Sequence, residues 1–270
     1  MPGRSRRARL DAELVRRGLA RSREHAQQLV GSGRVSVGGT VAAKPATQVD
    51  LGAAIVVRPD DTDPGYVSRG GHKLAGALAA FPDLGVTGRR CLDAGASTGG
   101  FTDVLLRAGA AEVVAVDVGY GQLAWPLRQD PRVRVLDRTN VRDLTPAHLD
   151  GRPVDLVVGD LSFISLAVVL PALVGCARPD ADLLLMVKPQ FEVGRDRVGP
   201  GGVVRDPALR SEAVRTIAIR AAALGLGVRG VTASPLPGPS GNVEYFLWLQ
   251  AGAPPLDDEA LARAIEEGPR

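Results

Sequence analysis

The stretch Cys91–Asp103 constrains this chain most, because it reads as an apolar strand, a glycine-rich turn and the start of a helix. Gly95, Gly99 and Gly100 allow the backbone to turn tightly and to approach a ligand closely, since they carry no Cβ. The helix that begins near Phe101 adds free backbone N–H groups at its N-terminus. This spacing predicts a nucleotide-type pocket at the carboxyl end of the first strand of an α/β sheet.

Two acidic residues indicate which nucleotide this pocket binds. A dinucleotide site has the pattern G-x-G-x-x-G, whereas this turn reads D-x-G-x-x-x-G-G, and Asp93 stands where it would repel a phosphate. A zwitterionic cation such as S-adenosylmethionine (SAM) suits that carboxylate. Asp117 closes the second apolar strand and is placed to accept two ribose hydroxyls. The alternative is an acid that caps a turn in another kind of α/β protein. The two acids and the glycines together favour SAM.

The adenine of SAM is expected to contact the loop after the third strand, 137–140. The candidate SAM-binding residues are Asp93, Gly95, Ser97, Thr98, Gly99, Gly100, Phe101, Asp117, Val118, Asp137, Asn140 and Asp160.

Composition limits the class of protein. The chain has 270 residues, of which 45% are hydrophobic and 23% charged, enough for one large globular domain and one small one. Cys91 and Cys176 match no metal-binding spacing, so we expect them to be reduced core residues, as is usual in the cytoplasm. The basic N-terminus lacks an apolar signal core, and no apolar run reaches the length of a membrane span. These features predict a cytoplasmic protein with no membrane partner.

Positive charge is concentrated at the start of the chain. Residues 1–58 contain eleven Lys and Arg against four Asp and Glu, whereas the whole chain has a formal net charge of only +3. Such a block is typical of a module that faces nucleic acid. A solvated charged surface or a disordered tail are the alternatives.

The pattern within this basic block favours a folded unit over a tail. Leu10, Leu14 and Val15 form one face of a helix, and Ser22 is placed to cap a second helix. Two short β-branched runs then flank Gly38-Gly39, which is a hairpin signal. Two basic helices and a small sheet make a compact unit.

The strings Leu10–Arg23, Gly33–Gly39 and Lys44-Pro45 resemble the S-four-type (αL) RNA-binding domain, over residues 8 to 60. That domain is shared by a small-subunit ribosomal protein, many pseudouridine synthases and tyrosyl-tRNA synthetases. The resemblance implies a surface that contacts the RNA backbone and carries little sequence information. The candidate RNA-binding residues are Arg6, Arg7, Arg9, Arg16, Arg17, Arg21, Arg23, Arg34, Lys44 and Arg69.

Beyond this block, apolar strands alternate with helices. Strands are predicted near 91–93, 113–117, 133–136, 154–159 and 183–187, with two late strands near 228–233 and 243–249. This alternation predicts an α/β, Rossmann-like, mostly parallel sheet with helices on both faces, plus a small N-terminal α+β domain. We expect an RNA-binding domain at 1–60, an acidic linker at 61–67, a methyltransferase-like domain at 68–252 and a tail at 253–270. The tail is expected to be a short charged helix or a loose segment, and we assign it no function.

Polar residues follow the predicted strands at positions that face the ligand crevice of an open α/β sheet. Asp160 follows the fourth strand, Lys188 follows five apolar residues at the end of the fifth, and Glu244 opens the last. A lysine in such a place is costly to bury without a partner. The alternatives are structural: a salt bridge for Lys188, a helix cap for Asp160, and surface charges for Glu244 and for Lys73.

Lys73, Asp160, Lys188 and Glu244, in this order and these contexts, resemble the lysine–aspartate–lysine–glutamate set of the FtsJ-type 2′-O-ribose methyltransferases. With the N-terminal domain added, the chain to residue 250 resembles the TlyA family of ribosomal RNA cytidine-2′-O-methyltransferases, some members of which are named hemolysins. The strings that carry this resemblance are Tyr66–Lys73, Leu92–Phe101, Asp117–Gln122, Asp160–Leu166, Val187–Glu192 and Gly238–Tyr245. In one departure, Pro64-Gly65-Tyr66 stands where the family often has Arg-Ala-Trp.

The resemblance implies SAM-dependent methylation of a ribose 2′-hydroxyl in small-subunit or large-subunit ribosomal RNA, or both, by a monomer and without a metal. Because a 2′-hydroxyl is a poor nucleophile, it must be aimed and activated. Lys188 is expected to be the base or to orient the hydroxyl, and Lys73 to tune it and hold ribose or phosphate. Glu244 would orient an ammonium, and Asp160 would hold Lys188 and border the methyl donor. An RNA-binding ribosome assembly factor without catalysis and a membrane-active hemolysin are the alternatives.

Overall fold

The computed structural model describes residues 7–20, 23–58 and 64–269, in two compact units, 1–64 and 65–270. Arg6 and Arg21, for which RNA contacts are predicted, and Ser22, a predicted helix cap, lie outside the described residues. So do 59–63, which include the first three residues of the predicted linker at 61–67.

Within its described residues, the N-terminal unit has two helices and two small sheets. Its described elements are β1 (Arg7–Arg9), α1 (Leu10–Arg16), α2 (Arg23–Gly31), β2 (Val35–Val37), β3 (Thr40–Val41), β4 (Gln48–Asp50) and β5 (Ile55–Val57). Strand β2 lies between β3 and β5, and β1 pairs with β4, all antiparallel. The predicted hairpin is confirmed: Gly38 and Gly39 have φ of +57° and +85°, as a two-residue turn of this kind requires. The pairing of β1 with β4 was not predicted, because three-residue strands give too short an alternation to detect.

The larger unit is a seven-stranded sheet between helices, within the residues that the structure describes. Its elements are α3 (Arg69–Ala80), β6 (Arg90–Ala94), α4 (Gly100–Arg107), β7 (Glu112–Val116), α5 (Trp125–Arg128), β8 (Val133–Leu136), β9 (Val154–Gly159), α6 (Leu166–Cys176), β10 (Ala177–Val187), α7 (Pro189–Glu192), α8 (Pro207–Ala222), β11 (Leu226–Ala233), β12 (Tyr245–Ala251) and α9 (Asp258–Glu267). The strand order is β11-β12-β10-β9-β6-β7-β8. Only β12 runs antiparallel to its neighbours in this sheet, so the predicted mostly parallel α/β sheet is confirmed.

Successive strand residues point to opposite faces, and each face has its own core. Val157 packs in the core that contains residues of α6, α8 and α9, whereas Val158 packs in the core that contains residues of α3 and α4. The two cysteines are buried and unpaired, Cys91 in one core and Cys176 in the other, as predicted for core residues. Burial on both faces explains why these strands read as continuous apolar runs.

The C-terminal segment is part of this packing. Asp257 caps α9 by accepting hydrogen bonds from the backbone N–H groups of Glu259 and Ala260, at 2.8 and 3.1 Å. Leu261 and Ala264 of α9 are buried in the same core as α8. The segment expected to be a charged helix or a loose tail is therefore a helix with a buried apolar side. Among the described helices, none has the length and apolar character that crossing a membrane requires.

Candidate functional site

The carboxyl ends of the parallel strands bring the predicted polar residues to one edge of the sheet. Asp93 lies at the end of β6, and Asp117, Asp160 and Lys188 directly follow β7, β9 and β10. These four strands are neighbours in the order β10-β9-β6-β7. Glu244 reaches the same edge because β12 is antiparallel, so its first residue, Tyr245, pairs with the last residue of β10. This edge is where open α/β sheets bind ligands.

The glycine-rich turn forms a tight cradle at this edge. Gly95 and Gly99 have φ of +87° and +97°, a conformation that other residues rarely adopt. A Cβ on Gly95 would lie 2.8 Å from the backbone oxygen of Asp160, and a Cβ on Gly99 would overlap the side chain of Leu127. Only glycine fits at either position, and the backbone is left open to close approach by a ligand.

Asp117 ties this turn to the loop after β7. Its Oδ2 accepts a hydrogen bond from the backbone N–H of Ser97 at 2.8 Å, and its Oδ1 accepts one from Gly119 at 2.7 Å. Each carboxylate oxygen has a further lone pair. The side chain is therefore fixed in place and can still accept the two ribose hydroxyls that the sequence predicts.

Asp93 lies beneath the turn and is fully buried. The hydroxyl of Thr102 donates to its Oδ2 at 2.6 Å, and its Oδ1 has no hydrogen-bond partner in the described protein. Burial raises the pKa of this carboxyl to about 7, in spite of the opposing hydrogen bond from Thr102. An unpaired buried oxygen of this kind can accept a hydrogen bond from a cationic ligand directly or through water.

The other candidate SAM residues have mixed surroundings. Asp137 is paired with the guanidinium of Arg128, and Asn140 accepts a hydrogen bond from the backbone N–H of Arg142 at 3.0 Å. The Phe101 ring is buried and stacks on Phe246 with centroids 6.0 Å apart, so its side chain belongs to the core. Gly100 is buried at the start of α4. Three further members of the set are exposed to solvent: Ser97, Thr98 and Val118.

Lys188 is held by two oxygen atoms. Its Nζ lies 2.6 Å from Oδ1 of Asp160 and donates a hydrogen bond to Oγ of Ser162 at 2.8 Å. The side chain of Lys188 is only 8% exposed. The partner that a buried lysine needs is therefore present, and it comes from the neighbouring strand end.

Lys73 and Glu244 form a second buried ion pair. Nζ of Lys73, on α3, donates to Oε2 of Glu244 at 2.6 Å, and both side chains are almost completely buried. The other carboxylate oxygen of Glu244, Oε1, is buried without a hydrogen-bond partner among the described residues. The four residues of the predicted set are thus brought together as two ion pairs.

A cavity of about 670 Å³ adjoins both pairs, with Lys188 and Glu244 in its wall. Its lining also contains two aromatic rings, Phe163 and Phe191, with centroids 5.3 Å apart. The volume lies within the usual range for ligand pockets. The cavity is large enough to admit a nucleoside beside Lys188.

The predicted RNA-binding arginines of the N-terminal unit include several that hold the fold together. Glu13 is buried and pairs with Arg16 at 2.6 Å and with Arg17 at 2.7 Å, which lowers the pKa of Glu13 to about 2. Arg17 also donates to the backbone oxygens of Leu51 and Ala53 at 2.6 and 2.7 Å. The Arg17 guanidinium is therefore a structural clip between α1 and the segment before β5.

The other predicted RNA-binding residues also differ in how far their side chains are engaged by the protein itself. Arg9 pairs with buried Asp11 at 2.7 Å, and Arg23 lies 3.6 Å from the same carboxylate. Arg7 pairs with Asp50, and Arg34 donates to the backbone oxygen of Arg58. Lys44 is exposed, and Arg69 donates to the backbone oxygen of Pro237 at 3.4 Å. RNA contacts by these residues stay a prediction.

Two residues of the site were not singled out from the sequence. One is Ser162, which accepts from Lys188. The other is Asn242, which is buried, accepts from the backbone N–H of Val204 at 2.9 Å and donates to the oxygen of Gly202 at 2.8 Å. Both lie inside strings that the sequence marks as informative, but nothing local indicates which polar side chain makes the contact. Within the described part of the chain, no three His, Cys, Asp or Glu side chains cluster as metal ligands would.

Two family models match the chain, and relatives match it over nearly its whole length. The FtsJ-like methyltransferase family model matches residues 66–251, and the S4 domain model matches residues 8–55. The chain is 64% identical to the 16S/23S rRNA (cytidine-2′-O)-methyltransferase TlyA of Mycobacterium tuberculosis, over 98% of this chain and 100% of that protein. It is 42% identical to YqxC of Bacillus subtilis, over 97% of this chain and 94% of that protein.

A solved structure has the same fold over the same length. A hemolysin-named protein from Streptococcus thermophilus matches with a TM-score of 0.76 and 38% identity, over 98% of each chain. The family model covers the α/β sheet and all four residues of the two ion pairs. The chain therefore belongs to the FtsJ-like methyltransferase family, contains an S4 domain, and is similar over nearly its whole length to a relative named TlyA.

Proposed function

We propose that this chain transfers a methyl group from SAM to the 2′-hydroxyl of a cytidine ribose in ribosomal RNA, in the small subunit, the large subunit or both. The observation that supports this most is the meeting of the Lys188–Asp160 and Lys73–Glu244 pairs beside one cavity. The M. tuberculosis relative, whose printed name gives this reaction, matches the chain over nearly its whole length. Because ribosomal subunits would be the substrate, the site of action would be the cytoplasm.

The cradle at the sheet edge fits SAM in shape and charge. The glycine-rich turn offers open backbone at Gly95 and Gly99, and Asp93 offers an unpaired carboxyl oxygen. Asp117 would hold the ribose hydroxyls, and the loop with Asp137 and Asn140 would border the adenine. When bound, SAM supplies an electrophilic methyl group on a sulfonium.

The protein would act mainly by positioning the target oxygen. Asp160 and Ser162 fix the nitrogen of Lys188 at the strand end. From there Lys188 would orient the 2′-hydroxyl by a hydrogen bond or, as the neutral amine, accept its proton while the methyl group passes from the sulfonium to the oxygen. Glu244 would hold Lys73 so that its charge faces the ribose or its phosphate. Such alignment converts a weak nucleophile into a correctly directed one.

The N-terminal unit would bind the RNA backbone. Its exposed cationic groups include Arg16, Arg23 and Lys44, which can contact phosphates without reading sequence. Specificity for one nucleotide would then come from the shape of the RNA and from the cavity. Binding of this kind weakens as salt rises, because counterions are released when phosphates are neutralised.

A methyl-transfer assay tests the proposal. The substrates are small and large ribosomal subunits from cells that lack this protein, with radiolabelled SAM as the donor. We expect labelled cytidine carrying a 2′-O-methyl group, and a Lys188→Ala variant that is slower by about 10²–10⁴-fold. An RNA-binding assembly factor would bind the subunits but transfer no label. Label on a base, or an undiminished Lys188→Ala rate, would also contradict the proposal.

A further inference from the structure

One face of α3 docks on the segment that connects β11 to β12. Arg69, Lys73 and Gly76 are spaced by four and three residues, so they lie on the same side of the helix. Arg69 donates to the backbone oxygen of Pro237 at 3.4 Å, and Lys73 donates to Glu244 at 2.6 Å. The helix therefore contacts this segment near its middle and at its end.

Gly76 makes the third contact, against the ring of Pro235. A Cβ on Gly76 would lie 2.6 Å from Cγ of Pro235 and 3.1 Å from Cδ. Carbon atoms in favourable contact are about 3.5–4.0 Å apart, so the proline ring occupies the space that a side chain would need. Glycine inside a helix is destabilising relative to alanine. Helix propensity therefore does not explain why position 76 is a glycine, whereas the close packing of the Pro235 ring against it does.

The position of Pro235 is linked directly to Glu244. The backbone N–H of Ser234, the residue before the proline, donates to the backbone oxygen of Glu244 at 2.8 Å. A shift of Pro235 away from α3 would also move Ser234, and Glu244 would move with it because the two residues are hydrogen-bonded. Lys73 would stay on the helix, so the two members of the ion pair would separate.

We infer that Gly76 is a positioning residue for methyl transfer. Because it has no side chain, Pro235 can pack directly against α3, and this contact fixes the position of Glu244 relative to Lys73. The inference rests on the proposed function, because it assumes that this pair serves the reaction. An alanine at position 76 requires a displacement of about 1 Å to reach an ordinary contact. A misplacement of about 1 Å can cost about 10²-fold in rate.

The first test compares Gly76→Ala with the unaltered protein in single-turnover methylation of the same ribosomal subunits. We expect a rate lower by about 10²-fold, with the dissociation constants for SAM and for the subunits unchanged. If the role of Gly76 were purely structural, the variant would melt at a lower temperature. Its methylation rate, its SAM binding and its subunit binding would then all decrease in parallel.

A second-site variant isolates the contact. Pro235→Ala removes Cγ and Cδ and leaves Cβ, which lies 3.4 Å from the position of the new methyl group. The double variant Gly76→Ala/Pro235→Ala is therefore expected to recover at least about tenfold of the lost rate, as relief of a misplacement predicts. If Gly76→Ala fails to fold, the double variant still must fold and methylate, and its equal failure would overturn the inference.

Gly175→Ala is the matched control. Gly175 also lies within a helix, α6, but no atom would lie within 4 Å of its added Cβ. This variant should keep its full rate and its melting temperature, since alanine is the better helix former. A loss of rate equal to that of Gly76→Ala would show that the effect is not specific to the proline contact.

Lys73→Ala, assayed in parallel, tests the positioning role of Gly76 separately from the proposed function. An inactive Lys73→Ala beside a fully active Gly76→Ala would overturn the positioning role and leave the proposed function standing. A fully active Lys73→Ala would contradict the catalytic set itself, and with it the need to position the pair. The expected pattern is a slow Gly76→Ala, a nearly inactive Lys73→Ala and an active double variant.

Discussion

Lys188 and Asp160 form an ion pair of 2.6 Å that is set by the register of two neighbouring parallel strands. Leu185 of β10 lies beside Gly159 of β9, so the residues that follow these strands leave the sheet at adjacent points. Because β9 and β10 each have a paired strand on both sides, the two side chains start from fixed positions. Preorganisation of this kind is what a positioned catalytic group requires.

The first prediction concerns Asp117. Asp117→Ala removes the acceptor expected for the ribose hydroxyls, and hydrogen bonds to a charged group contribute about 1.5–3 kcal/mol. We expect SAM binding to weaken by that amount in calorimetry. Asp257→Ala, which removes two backbone-accepting bonds at the start of α9, is the control and should leave SAM affinity unchanged. Equal SAM affinity for Asp117→Ala and the unaltered protein would rule out the ribose contact.

The second prediction concerns the buried carboxyl of Asp93, whose folded-state pKa is raised from 3.8 to about 7. A raised pKa means that the folded state binds the proton more tightly, so this contribution to stability is complete below about pH 4 and is lost as pH rises through 7. A rise in pKa of this size corresponds to about 4 kcal/mol at most. Between about pH 4 and 7.5, the melting temperature should fall more for the unaltered protein than for Asp93→Asn. Parallel curves for the two proteins would contradict the raised pKa.

The third prediction separates structural from RNA-facing cations in the N-terminal unit. Arg17 bonds Glu13 and two backbone oxygens, so Arg17→Ala should lower the melting temperature of this unit. Exposed Lys44 should behave differently: Lys44→Ala should leave stability unchanged and reduce the salt dependence of RNA binding by about one phosphate contact. Thermal melts and binding titrations at several salt concentrations measure both. A stable Arg17→Ala would contradict its role as a clip.

The fourth prediction concerns Asn242, which joins the segment 199–204 to the loop before Glu244. Asn242→Ala leaves a buried N–H and an oxygen without their partner, at a cost of about 1–3 kcal/mol for each. Asn242→Asp keeps the acceptor for Val204 but places a buried carboxylate oxygen against the oxygen of Gly202, so at neutral pH we expect a loss at least as large as that of the alanine variant. Denaturant unfolding of both variants measures the difference. An alanine variant as stable as the unaltered protein would contradict this role, because water would then be replacing both hydrogen bonds of Asn242.

Local patterns predicted the strands, the Gly38-Gly39 hairpin and the strand-end position of Asp160 and Lys188, because each depends on residues close in sequence. They did not give the antiparallel direction of β12, which is what brings Glu244 to the edge where the parallel strands end. Nor did they indicate the contact of Gly76 with Pro235, which joins a helix to a distant loop. The ion pair between Arg17 and Glu13 was not predicted either, because the sequence alone does not show which acidic side chain a basic residue contacts.

The most direct test of the account is the rate of Lys188→Arg. If Lys188 acts on the 2′-hydroxyl, arginine should not replace it, because a guanidinium stays protonated and has a different shape. We expect Lys188→Arg to melt near the temperature of the unaltered protein and to bind SAM and ribosomal subunits. Its single-turnover methylation should be slower by about 10²–10⁴-fold. A Lys188→Arg variant that is destabilised but methylates at the full rate would contradict the assignment, since Lys188 would then serve only as a structural salt bridge.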